Sequence, residues 1–98
     1  MSAELPELQE GLLDDATLRT LLADLRDHAT VLDVLVKGGP SELATLGEND
    51  PTRVPELLRG GVRGVQVRYA FDGAEWRDTL MPAPGGVRLV RMKIDFDP

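Results

Sequence analysis

An Asp-Gly pair between two β-like segments constrains the fold of this chain more than any other feature of its sequence. Apolar side chains occupy every second position before Asp72-Gly73, and a second segment, from Ala74 to Met81, follows the pair. Because Asp-Gly is the preferred pair of a two-residue type I′ turn, it predicts a β-hairpin of fixed register. In that register Tyr69 faces Trp76. The alternating apolar residues are Val65, Val67, Tyr69 and Phe71.

A third strand follows the segment 82–86, Pro-Ala-Pro-Gly-Gly, which we interpret as a five-residue loop. Alternation resumes from Val87 to Phe96, and pairing Met81 with Val87 completes a three-stranded antiparallel meander. On this register one face of the meander forms the core. The predicted core residues are Val65, Val67, Tyr69, Phe71, Trp76, Leu80, Val90, Met92 and Ile94.

Two charged residues, Asp78 and Arg88, fall on that apolar face, diagonal to each other on neighbouring strands. A lone buried carboxylate costs several kcal/mol, so we expect these two side chains to form an ion pair. The functional interpretation is a polar spot beside Trp76 and Tyr69 that receives a ligand or a group of a protein partner.

The opposite face carries a row of arginines, one from each strand. Arg68, Arg77 and Arg91 lie side by side in the predicted register, with Lys93 at the end of the face. Either neighbouring carboxylates pair with them on a solvated face, or the row binds an acidic segment or a phosphate-bearing ligand. The row depends on the register, because a slip of one residue would remove it.

The N-terminal part predicts one amphipathic helix and one further strand. Leucines at helical spacing follow Asp14 or Asp15, either of which suits an N-cap, and they predict a helix from about Ala16 to His28. The helical period could continue through Leu32 and Val36, but the β-branched residues of segment 30–36 favour a strand. Pro55–Arg59 predicts a helical turn. The expected fold is α+β: an N-terminal amphipathic helix packed on a small, mainly antiparallel sheet of three or four strands.

Residues 1–13 are expected to form an acidic flexible arm, because they contain three glutamates and no basic residue, and Pro6 and Gly11 interrupt regular structure. An alternative is that this arm docks on a basic surface of its own sheet or of a partner. Residues 14–98 are expected to form a single α+β domain, since a chain of 98 residues has the size of one domain.

The residue types exclude several kinds of site. Without cysteine, the chain has no disulfide, thiolate nucleophile or zinc ribbon. His28 is the only histidine, and neither Ser2 nor Ser41 lies in a context that suits a nucleophile. Glu48 and Asp50 lack the EF-hand pattern and predict a turn with Asp50 as its N-cap. We therefore expect no catalytic residue, metal or cofactor.

The charge distribution argues against a nucleic-acid partner, because such proteins usually show a basic face. The net charge is −6, and residues 1–59 hold 12 acidic and 5 basic residues, against 5 and 6 in residues 60–98. With no signal-peptide pattern and no stretch near the roughly 18 apolar residues of a membrane span, we expect a cytoplasmic protein and no membrane contact. The residue usage is typical of a high-GC bacterial gene.

These features favour a small non-enzymatic accessory or adaptor protein that acts through protein–protein contact, in the assembly or regulation of a larger enzyme. The contact would use the arginine row, or a homo-oligomer formed through an exposed sheet edge. The alternative is a small-ligand binding module or minor enzyme with a pocket around Trp76, Asp78 and Arg88. The candidate site residues are Arg68, Arg77, Arg91, Tyr69, Trp76, Asp78 and Arg88.

Overall fold

A computed structural model of the chain describes residues 8–38 and 50–94. In chain order its elements are β1 (Leu8–Leu13), α1 (Asp15–His28), β2 (Thr30–Lys37), a 3₁₀ turn (Pro51–Arg53), α2 (Val54–Arg59), β3 (Gly64–Phe71), β4 (Ala74–Ala83) and β5 (Gly86–Ile94). This arrangement confirms the α+β class. No helix in these two ranges is long and apolar enough to cross a membrane.

The five strands form one antiparallel sheet in the order β1-β5-β4-β3-β2. Both helices pack on the same face of this sheet, where their buried side chains join those of the strands in one apolar core. The core residues are Leu18, Leu22, Leu25, Val34, Val54, Leu58, Val62, Val65, Val67, Tyr69, Trp76, Leu80 and Leu89. The opposite side, which no described helix covers, is called the open face below.

Helix α1 confirms the predicted amphipathic helix. Asp14 is its N-cap, with a side-chain oxygen that accepts a hydrogen bond from the backbone N–H of Thr17 at 2.7 Å. That bond also lowers the pKa of the Asp14 carboxyl group. Leu18, Leu22 and Leu25 turn toward the sheet and are buried, so the helical spacing of the leucines fixes which side of α1 meets the core.

The first hairpin and the predicted strand at residues 30–36 are also confirmed. Tyr69 pairs with Trp76, as the Asp-Gly turn predicts. Asp72 and Gly73 both have positive φ angles, 54° and 79°, which a type I′ turn requires. Thr30–Lys37 is a strand, and Asp50 caps the 3₁₀ turn by accepting the backbone N–H of Thr52 at 3.0 Å.

The predicted register of the second hairpin is wrong by one residue. Met81 pairs with Arg88, whereas a five-residue loop would pair Met81 with Val87. The turn contains only Pro84 and Gly85, because a proline followed by a glycine with a φ of 88° suits a two-residue type II turn.

This slip moves every side chain of β5 to the other side of the sheet. Leu89 and Arg91 lie on the helix-covered face, where Leu89 joins the core and Arg91 is buried. The open face receives Val90, Met92 and Ile94, which the sequence had assigned to the core.

The N-terminal segment differs from the predicted flexible arm. Leu8–Leu13 forms an edge strand on β5, so the sheet has five strands and not three or four. Gly11 does not interrupt it, and Gly86 favours the pairing because a Cβ there would collide with the carbonyl oxygen of Leu13. Residues 1–7 lie outside the described residues, as do Ser41 and Glu48.

Candidate functional site

A buried cluster of three polar side chains lies on the helix-covered face of the sheet. Asp78 on β4 is fully buried, and it accepts hydrogen bonds from Arg91 Nε at 2.9 Å and from Arg91 Nη2 at 2.8 Å. The hydroxyl of Tyr69 on β3 donates to Asp78 Oδ1 at 3.0 Å. Three neighbouring strands therefore each supply one member of a fully connected network.

The network sets the charge of Arg91 and of Tyr69. Burial lowers the pKa of Arg91, but the hydrogen bonds and the negative charge of Asp78 outweigh burial and raise it overall. Burial raises the pKa of Tyr69 well above its usual value, and the charge of Asp78 adds to that effect. The cluster consequently holds a charged guanidinium beside a neutral phenol.

A cleft of about 520 Å³ opens beside this cluster, between the C-terminal half of α1 and the sheet. Its apolar walls are Leu21, Leu25, Ala29 and Phe71. Asp24 and His28 on α1 are exposed at its mouth, and Tyr69 and Arg91 form its floor. We call this site the Arg91 cleft.

Helical spacing explains the α1 wall of the Arg91 cleft. Leu21, Leu25 and His28 are three or four residues apart, so they share one side of the helix. Leu18 and Leu22 lie on the adjacent side and pack into the core, and Leu25, between the two sides, contacts both the core and the cleft. The helix thus offers one strip of side chains to the core and a second strip to the cleft.

The orientation of Arg91 is set by Asp78. The Nε and Nη2 atoms bond the carboxylate side-on, and the Tyr69 hydroxyl also interacts with the guanidinium. Since Arg91 lines the cleft and is only 6% exposed, Asp78 holds its guanidinium beside the cleft in one orientation. A ligand oxygen can accept a hydrogen bond from a guanidinium N–H group that reaches the cleft.

The predicted arginine row is divided between the two faces. Arg91 is on the helix-covered face, so only Arg68 and Arg77 remain opposite each other on the open face. Arg68 Nη2 lies 2.7 Å from Asp33 Oδ2, and Arg68 Nη1 lies 3.1 Å from Glu75 Oε2. Arg68 is thus already paired with two carboxylates.

Arg77 differs from Arg68, because its buried Nε atom has no hydrogen-bond partner among the residues that the structure describes. It forms no ion pair within that part of the chain. Arg68 and Arg77 are therefore neighbours on the open face, of which the first is paired with carboxylates and the second is not.

The predicted ion pair between Asp78 and Arg88 is wrong, because Asp78 pairs with Arg91. Arg88 lies on the open face, where its Nη2 atom is 2.8 Å from Glu10 Oε1. Trp76 is buried beside the cluster, with Lys93 Nζ 6.0 Å from the centre of its ring. The structure therefore brings together Tyr69, Asp78 and Arg91 and separates Arg88 from them.

Asp24 and Phe71 were not among the predicted site residues, and His28 was considered only as the partner of a serine nucleophile. The signal for Asp24 and His28 was their spacing of four residues beside the leucines of α1, which places them on one side of the helix. The position of Arg91 had no independent local signal, because it follows from the length of the second turn.

In the described ranges, no group of three or more histidine, cysteine, aspartate or glutamate side chains is arranged to hold a metal ion. Comparisons with known proteins assign no family: no family model, curated protein or solved structure matches the chain. The geometry and chemistry of the site are therefore the basis for a functional proposal.

Proposed function

We propose that the protein is a small-ligand binding module and that the Arg91 cleft is its binding site. The observation that carries this proposal is the position of Arg91, which a buried carboxylate holds at the floor of an otherwise mostly apolar cleft. A buried ion pair stabilises a fold no better than well-packed apolar side chains, and often less well. A buried charged cluster that borders a cleft is typical of a functional site.

The dimensions and the lining support binding of a small molecule. A volume of about 520 Å³ lies within the range of roughly 300–1,000 Å³ that ligand sites occupy. Such sites combine apolar walls, which provide affinity, with a few polar groups that orient the ligand. Leu21, Ala29 and Phe71 serve the first purpose here, and Arg91 serves the second.

The proposal is tested with two simple six-carbon probes, 1-hexanol and hexanoate, titrated into the isotope-labelled protein. We expect chemical-shift changes at the backbone amides of Leu21, Ala29 and Phe71. Leu21→Trp should fill the cleft and abolish them. Leu32→Trp is the matched control, since Leu32 is 38% exposed and lies outside the cleft. Changes spread over the surface, or retained in Leu21→Trp, would contradict the proposal.

A second candidate is the accessory protein that acts through protein–protein contact, with the open face as its surface. Leu12 is 57% exposed and Met92 is 45% exposed, and Val90 lies between them on the same face. Exposed apolar patches of this kind are typical of interaction sites.

The partner that fits this face is a second copy of the chain. The face carries Arg77, whose buried Nε has no partner among the described residues, and Glu10, whose carboxylate pairs with Arg88 and is half exposed. Two copies related by a two-fold axis would each bring a Glu10 carboxylate toward the Arg77 of the other. Light scattering should then show a dimer that Met92→Glu converts to a monomer, whereas the control Leu32→Glu leaves it intact. A monomeric wild type would contradict this candidate.

A further inference from the structure

We infer that the ligand of the Arg91 cleft is a carboxylate with an apolar body, an inference that rests on the function proposed above. It follows from the direction in which Asp78 holds the guanidinium, from the apolar surroundings of that group and from the different burial of the charges around the cleft.

Arg91 has two edges that can each bind a carboxylate, because a guanidinium is planar and carries five N–H donors. Asp78 takes the edge formed by Nε and Nη2. The remaining edge, formed by Nη1 and the second N–H of Nη2, presents two parallel donors. A carboxylate accepts two parallel hydrogen bonds from such an edge, which gives both strength and a fixed orientation.

The residues around this edge offer it only partial compensation. Tyr69, its polar neighbour on the floor, donates its hydroxyl hydrogen to Asp78, and its hydroxyl group also interacts with Arg91. Leu25 and Phe71 provide only apolar surface. No nitrogen of Arg91 is both buried and without a partner among the described residues, so a ligand oxygen gains by replacing water at the cleft with a charge-assisted hydrogen bond.

Asp24 alone would favour a cationic ligand, whereas Arg91 favours an anionic one. Asp24 is exposed at the mouth of the cleft, where water and salt screen its charge. Arg91 is only 6% exposed, so its hydrogen bonds act in a less polar medium than those of Asp24. The arginine therefore decides the charge of the ligand, and Asp24 only weakens the binding.

Asp78 also bears a negative charge, but it lies behind the guanidinium as seen from the free edge. A ligand carboxylate on that edge is closer to Arg91 than to Asp78, so attraction exceeds repulsion. The apolar body of the ligand then lies against Leu21, Leu25 and Phe71 on the walls of the cleft.

The test compares four probes that share one body and differ in the head group: hexanoate, hexanamide, 1-hexanol and hexylamine. Hexanoate should bind at least about tenfold more tightly than hexanamide, because a hydrogen bond to a charged acceptor is stronger than one to a neutral acceptor. Equal affinities, or tightest binding of hexylamine, would overturn the carboxylate inference and leave the cleft as a binding site. Failure of all four probes would overturn the proposed function itself.

Two variants sharpen this test without removing the charge that balances Asp78. Asp24→Asn should strengthen hexanoate binding about twofold and leave 1-hexanol unchanged, whereas the control Asp27→Asn, on the same helix but outside the cleft, should change neither. Arg91→Lys keeps a cation but removes the planar fork, so hexanoate should lose most of its advantage over hexanamide. An unchanged preference in a folded Arg91→Lys protein would overturn the inference.

Discussion

Two arginine–carboxylate clusters lie on opposite faces of the same sheet, and their difference shows how strongly the surroundings decide what a charge pair does. On the helix-covered face, Arg91 binds Asp78 within the protein interior. On the open face, Arg68 binds Asp33 and Glu75 with part of each side chain in contact with solvent. The chemical groups are the same, and their burial differs.

Burial makes the first cluster costly to form and costly to break. Removing two charges from water costs free energy that their attraction only partly returns, whereas removing one partner leaves the other buried and uncompensated. The second cluster keeps contact with water, so both effects are smaller. The buried cluster is therefore better suited to hold Arg91 in place than to stabilise the fold, and mutations can separate these two roles.

The largest effect is expected from Arg91→Met, which leaves the carboxylate of Asp78 buried without its cation. We expect the free energy of unfolding to fall by about 3–5 kcal/mol, measured by urea denaturation. The double variant Asp78→Leu/Arg91→Met should recover most of that loss, because it removes the whole pair. If the double variant were as unstable as Arg91→Met, packing and not charge would be the cause.

A smaller loss is expected from Tyr69→Phe, which removes one hydrogen bond to Asp78 and keeps the ring. Leaving a buried acceptor with one bond fewer should cost about 1–3 kcal/mol in the same denaturation experiment. In the background of Asp78→Leu/Arg91→Met the same change should cost much less, since the acceptor is gone. An equal cost in both backgrounds would show that Tyr69 does not act through Asp78.

The pH dependence of stability provides a third comparison, because Tyr69 is the only tyrosine in the chain. Burial first, and then the charge of Asp78, raise its pKa in the folded protein. The neutral phenol is therefore favoured by folding, and its contribution is complete below about pH 10, where an unfolded tyrosine ionises, and declines as the pH rises further.

The measurement for this prediction is the ultraviolet absorbance of tyrosinate, recorded together with the circular dichroism of the fold. The urea-unfolded protein is the control and should ionise near pH 10. In the folded protein, tyrosinate should appear only as the fold is lost. Ionisation near pH 10 without unfolding would contradict the buried position of Tyr69.

The two hairpins show how much of this arrangement could be predicted from the sequence. Asp72-Gly73 determines its turn almost alone, since both residues must adopt positive φ angles, and the register of β3 with β4 follows from it. Residues 82–86 include two prolines and two glycines, which fit both a five-residue loop and the observed turn at Pro84-Gly85. Local residue preferences did not separate these alternatives.

The alternation within β5 could not decide its register either. Val90, Met92 and Ile94 make one side of the strand look like the core, but the observed core residue is Leu89. Pairing with the edge strand β1 and with β4 decides the orientation. Tyr69 and Asp78 could therefore be placed from the sequence, and Arg91, which completes the site, could not.

The smallest effect is expected from Arg68→Met on the open face. It should lower the free energy of unfolding less than Tyr69→Phe does, because solvent compensates Asp33 and Glu75 when the guanidinium is removed. The loss should shrink further in high salt, which screens exposed charges, whereas the loss in Arg91→Met should change little with salt. Urea denaturation of both variants at low and high salt measures the difference. A salt-independent loss in Arg68→Met that equals the one in Arg91→Met would mean that burial does not distinguish the two clusters.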